Sequence, residues 1–166
     1  MARPSRFSAD TVCVPMFARV VLACLGGVDL VRGVLHTFLV QHSAVDVAGL
    51  DLTHSGQDQL LLLGAFGISN FLTGALFLAV AYGAKQLVPA VLAIIPTAHA
   101  LGFIAFRLNN IHPEAPFPGR SFMLVYASVS ILTFVASIVA MRRQRRGGID
   151  GGSIHAPSVS GASEAR

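Results

Sequence analysis

The chain has 166 residues, 54% of them apolar and only 12% charged, with 12 Lys and Arg against 8 Asp and Glu for a net charge of +4. A soluble domain carries roughly 25% charged residues, so this composition excludes an ordinary water-covered surface and requires lipid over much of it. The positive balance does not mark nucleic acid, because Arg142, Arg143, Arg145 and Arg146 form one cluster directly behind an apolar run, as in a stop-transfer flank or an anionic-lipid contact.

In chain order, residues 1–11 form a short segment carrying Arg3 and Arg6. The first expected span covers about residues 12–40 and includes Arg19, Asp29, Arg32 and His36. A cleaved signal peptide would place Arg19 in its apolar centre, which argues against that reading. A lipoprotein signal at Val21-Leu22-Ala23-Cys24 leaves only four apolar residues after Arg19, so a retained transmembrane helix fits better. Cys13 and Cys24, eleven positions apart, are separated by about 16 Å of helical rise and cannot form a disulfide with each other.

Three further spans are cleaner. Residues 60–82 contain no charge, residues 87–108 are charge-free as far as Phe106, and residues 121–141 contain none. Each meets the roughly 20 residues needed to cross a bilayer core of about 30 Å. Behind them, residues 142–166 begin basic, and from Gly147 the Gly- and Ser-rich composition reads as disordered. The loop from Asn109 to Gly119 holds Pro113, Pro116 and Pro118 and reads as stiff and non-helical.

Charge bias orients the chain. Cations flank the N-terminal segment, the turn at Lys85 and the tail, whereas Gln41 to Gln59 has no Lys or Arg and three Asp, at 46, 51 and 58. The expected fold is therefore all-α: a four-helix transmembrane bundle, up-down-up-down, with both termini cytoplasmic. A multi-pass protein of the bacterial inner membrane is the expected localisation.

At about 100° per residue, each span presents one small or polar face. The first has Gly26, Asp29, Arg32, Gly33 and His36; the second has Gly67, Asn70, Thr73 and Gly74. The third has His99 and Gly102 beside Pro96; the fourth has Tyr126, Ser130, Thr133 and Ser137. Small residues allow close helix contact and polar ones turn inward in lipid. The expected ligand site comprises Asp29, Arg32, His36, Asn70, His99 and Tyr126, converging on the outer half of the bundle. Ionisable groups at that depth are functional hypotheses by default, and Asp29 and Arg32, three apart, can pair.

Other chemistries find less support. The spacing of His36, His42 and His54 matches no metal motif, and no metal site is expected. His36 and His99 are the one pair that could serve haem axially, with no Cys-x-x-Cys-His for covalent attachment. No Gly-x-Ser-x-Gly and no phosphate-binding glycine loop occurs.

The Gly-rich second span, LLLLGAFGISNFLTGALFLAVAY, and the short turn from Gly83 to Gln86 resemble the small bacterial four-span membrane proteins of the DoxX-like group in architecture. The resemblance covers Leu60 to Met141. It implies a helical bundle, in that group sometimes linked to quinone or thiol redox partners; the lack of a redox cysteine pair departs from the thiol role. Three functions stand open. One is a binding or accessory subunit with an outer-half pocket for a lipid or amphiphile. The second is a membrane enzyme such as a quinone-linked oxidoreductase using the same His and Asp as acid and base. The third is a ligand-free scaffold. The expected partners are membrane lipids, with a protein partner or a second copy of the chain possible; the cofactor is open.

Overall fold

A computed structural model describes residues 13–111 and 118–150. It contains four long helices, α1 (Met16–Phe38), α2 (Gly56–Tyr82), α3 (Val88–Leu108) and α4 (Pro118–Asp150). No strand occurs among the described residues. Three segments, Gly56–Tyr82, Lys85–Leu108 and Ser121–Gln144, are long and apolar enough to cross a membrane. The α1 helix, with Arg19, Asp29 and Arg32 in its 23 residues, is not one of the three. Leu61, Leu72, Ile94, Leu101, Leu124 and Leu132 are each more than 60% exposed. Apolar side chains turned outward on this scale need lipid, not water, around them, which makes this a membrane protein.

The helix ends follow local chemistry. Pro15 holds an extended backbone before α1. At Leu39 the chain breaks (φ −115°, ψ 39°), then continues as a helical turn, Val40–His42, and a π-helical turn, Ser43–Val47. Gly49 at φ +65° ends that turn in a conformation natural to glycine. The segment expected to be a loop is thus helical at its start, and α2 begins at Gly56, four residues before the expected Leu60. Pro89 and Pro118 sit in the first turns of α3 and α4, where a missing N–H costs nothing. The α4 helix runs through the arginine cluster to Asp150, so residues 147–150, expected to be disordered, are helical. The N-terminal segment 1–11, His112, Pro113 and Pro116 of the stiff loop, and the tail from residue 151 lie outside the described residues.

The α1 helix is the hub. It packs antiparallel along α2 and also meets α3 and α4, while α3 and α4 pair with each other and α2 touches α3 only sparsely. Glycine brings α1 and α2 together. A Cβ on Gly74 would lie 2.7 Å from the Gly26 carbonyl oxygen, and one on Gly33 would lie 2.9 Å from the Phe71 ring. One on Gly67 would collide with the Thr37 hydroxyl. Gly26 and Gly33, like Gly67 and Gly74, are seven apart, so each pair recurs on one face after two turns. At one end Arg19 donates from Nε to the Ala81 carbonyl, 3.1 Å away in the last turn of α2. A cation there satisfies a free helix-end carbonyl and complements its dipole. The apolar core lies at that end, built from Ala18, Leu22, Leu25, Phe77, Val80, Val88, Leu92 and Ile95. Tyr126 closes it on the side of the polar residues.

Candidate functional site

Asp29 lies beside the glycine seam of α1, about 40–60° round the helix from Gly26 and Gly33 and on the side of α4, and is only 4% exposed. A carboxylate in low dielectric is tolerated only when its oxygens are occupied. Tyr126 of α4 supplies one partner, donating its hydroxyl to Asp29 Oδ2 at 2.8 Å. Arg32, one turn on, supplies the other, with Nη1 3.8 Å from Oδ1. That separation is an ion pair without a close hydrogen bond.

The Arg32 guanidinium is placed instead by aromatic rings. Its Cζ lies 5.4 Å from the Phe66 ring centre of α2 and 5.3 Å from that of Phe122 of α4. Contacts of this length are attractive through the ring quadrupoles, and they hold the planar group between two helices. No protein acceptor forms a hydrogen bond with Arg32 among the described residues, and its side chain is 23% exposed. The guanidinium carries five N–H donors, so the site holds donors in excess of acceptors.

Asn70 adds to that excess. It is 6% exposed, and its Nδ2 is buried without a partner. It sits one turn from Phe66 on the same face of α2, the face on which Arg32 stacks. An orphaned buried amide costs about 1–3 kcal/mol, and the Thr37 hydroxyl, buried and unpartnered, is a second such group.

His99 joins from α3. Its Nδ1 is 2.8 Å from the Ile95 carbonyl, which can only accept, so the proton sits on Nδ1. In the neutral ring Nε2 is then a free acceptor. Pro96 has no N–H for the helical ladder. Around it Thr97 and His99 side chains bond to the carbonyls of Ala93 and Ile95. The ring stacks on Tyr126 with centroids 6.0 Å apart and planes at 27°. His36 turns elsewhere: its Nδ1 hydrogen-bonds the fully buried Ser43 hydroxyl, and its ring meets Phe66 at 5.9 Å. Each histidine has its own partners, and the two do not pair with each other.

The structure thus brings together Asp29, Arg32, His99 and Tyr126, with His36 and Asn70 joined to the group through Phe66. Sequence reasoning missed Phe66 and Phe122, which carry no polar group to mark them. A signal existed, since each lies four residues before a polar member of its own helix, Asn70 and Tyr126. The other polar residues of α4 are closed off: Ser130, Thr133 and Ser137 are buried, Ser130 donates to the Tyr126 carbonyl, and Ser137 donates to the Thr133 carbonyl. Gly102 has nothing within 4 Å of a built Cβ and takes no part.

A cleft of about 830 Å³ lies beyond this cluster, between Thr37–His42 and the α2 face that carries Gln57, Leu60, Gly64 and Ile68. None of the six residues expected to form the pocket lines it. His42 on its rim pairs with Asp46, Nδ1 to Oδ2 at 2.7 Å. Farther along, Asp51 accepts the Thr53 backbone N–H at 2.9 Å, and that bond holds its carboxyl below the usual value. No group of three His, Cys, Asp or Glu comes together among the described residues. No family model, no curated protein and no solved structure matches this chain, so the resemblance to the DoxX-like group rests on the plan of its helices alone.

Proposed function

We propose that the chain is a four-span protein of the bacterial inner membrane, α1 to α4 running up-down-up-down with both termini cytoplasmic. In this reading it is a binding or accessory subunit, and the cluster of Asp29, Arg32, His36, Asn70, His99 and Tyr126 receives the head of a lipid or amphiphile. The topology draws on the cations near both termini and at Lys85, against a loop of three aspartates. The observation that carries the binding role is Arg32, stacked between Phe66 and Phe122, ion-paired to Asp29 at 3.8 Å, and without a hydrogen-bond acceptor among the described residues. Asn70 Nδ2 is a further unpaired donor. A surplus of donors suits a guest that brings oxygen acceptors: a carboxylate, a phosphate or a quinone carbonyl. Asp29 then neutralises and orients Arg32, and the linkage of some DoxX-like proteins to quinones points to the same kind of head.

Native mass spectrometry of the protein in mild detergent, with an absorption spectrum of the same sample, tests this. An acceptor-bearing amphiphile is expected on the wild type and absent from Arg32→Gln. A wild type free of any adduct, or an adduct equally retained by Arg32→Gln, overturns it. The scaffold reading is second, favoured by hydroxyls that bond within the protein at Tyr126, Ser130 and Ser137. Under it Arg32→Gln changes assembly and no ligand.

A further inference from the structure

The cleft beside the break in α1 has a direction. Along α2 its wall passes from Gln57 through Leu60 and Gly64 to Ile68, a run of eleven positions or about 16 Å. Its α2 wall is polar at Gln57 and apolar from Leu60 to Ile68, and Gln41 and His42 line it from the turn after Leu39. Its volume of about 830 Å³ falls within the roughly 300–1,000 Å³ of small-molecule sites. The surrounding charge is one-sided. Asp58 follows Gln57 directly, Asp46 is paired to His42 at the rim, and no Lys or Arg occurs from Gln41 to Gln59.

We propose that this cleft is a second binding site, for a membrane phospholipid with an ammonium head. The amine sits at the rim beside Asp46 and Asp58 with the glutamine amides around the phosphate, and one acyl chain runs down past Gly64 to Ile68. The rim itself is lined by Gln41, His42 and Gln57, with Asp46 and Asp58 just behind them and no Lys or Arg in the segment, so an anionic head without an amine is disfavoured. The break at Leu39 and the turn that follows it open the space, because the chain leaves the α1 axis where α2 continues outward. The inference rests on the proposed topology for the end of the bundle it assigns to the outer leaflet. Labelling of a Gln57→Cys thiol by an impermeant reagent tests that separately.

The experiment is native mass spectrometry of the full chain in mild detergent, titrated with phosphatidylethanolamine or phosphatidylglycerol. Tighter binding of phosphatidylethanolamine by about tenfold is expected, a difference of about 1.4 kcal/mol. Ala65→Phe fills the cleft from an exposed position and is expected to abolish the preference without changing the melting temperature. The double variant Asp46→Asn/Asp58→Asn leaves the cleft open and is expected to bind both lipids alike. Arg32→Gln, which removes the anion-binding donor of the first site, is expected to keep or sharpen the preference. Equal binding of both lipids by the wild type, an unaltered preference in Ala65→Phe or the double variant, or its loss in Arg32→Gln overturns the proposal.

Discussion

The pairing of Tyr126 with Asp29 spans 97 positions of sequence and joins α4 to α1 by a single buried hydrogen bond. Tyr126→Phe removes the hydroxyl and leaves the carboxylate with Arg32 alone, 3.8 Å away. Bonds of this kind inside membrane bundles average about 0.6 kcal/mol and reach about 1.7. A double-mutant cycle of Tyr126→Phe with Asp29→Asn, followed by unfolding in mixed micelles, is expected to give a coupling within that range. A coupling of zero means that the carboxylate finds another donor. Arg32 makes a different prediction, since its position depends on a flat group between two rings. Arg32→Lys keeps the charge and loses the stacking. It is expected to weaken amphiphile retention nearly as much as Arg32→Gln, and full retention by Arg32→Lys would reduce the role to charge alone. Asp29 and Arg32 were legible in the sequence because charges in an apolar run advertise themselves. The rings that grip Arg32 were not, since a phenylalanine in a membrane helix has the same local pattern whether it meets lipid or a guanidinium.

At the scale of the helix, the glycines divide into those whose added Cβ would meet backbone, such as Gly26 and Gly74, those that would meet a side chain, such as Gly33 against Phe71, and those with nothing nearby. Gly26 lies 3.0 Å from the Gly74 carbonyl by the built Cβ, whereas the neighbouring Gly27 has nothing within 4 Å. Backbone cannot swing aside as a side chain can. Gly26→Ala and Gly74→Ala are therefore expected to push α1 and α2 apart and cost about 1–3 kcal/mol. Gly27→Ala and Gly102→Ala are expected to be neutral or to stabilise by up to about 1 kcal/mol through helix propensity. Thermal melts of the four variants in one detergent check this, and equal losses at Gly26 and Gly27 would deny the close seam. Helical periodicity revealed the small-residue faces of α1 and α2 and the inward row from Tyr126 to Ser137, because inward position repeats at 3.6 residues. It did not reveal that α1 has two working faces, Gly26 and Gly33 toward α2 and Asp29 toward α4. Within one broad arc both sets look alike, and only the partner helices separate them. The helical turns from Val40 to Val47 were equally hidden, since their mixed composition shows no helical period while the buried Ser43 bond to His36 holds them in place.

Taken whole, the molecule is organised around its first helix. The α2 helix touches α3 only sparsely, so the two halves of the chain are joined chiefly through α1. Arg19 caps α2, the Gly26–Gly33 face receives α2, and Asp29 reaches α4. Retention and orientation can be read together from the native cysteines. Cys13 is exposed just before α1, and Cys24 is exposed along it. In a Cys24→Ser background, Cys13 reports on the N-terminal end alone. It is expected to resist a membrane-impermeant maleimide in intact cells and to react after permeabilisation, while a Thr53→Cys thiol in a Cys-free background reacts in intact cells. The reverse pattern inverts the bundle and places the aspartate-rich corner in the cytoplasm. Reaction of both thiols from the same side means that α1 does not cross the membrane, and the polar cluster then loses the lipid depth on which its need for paired charges depends.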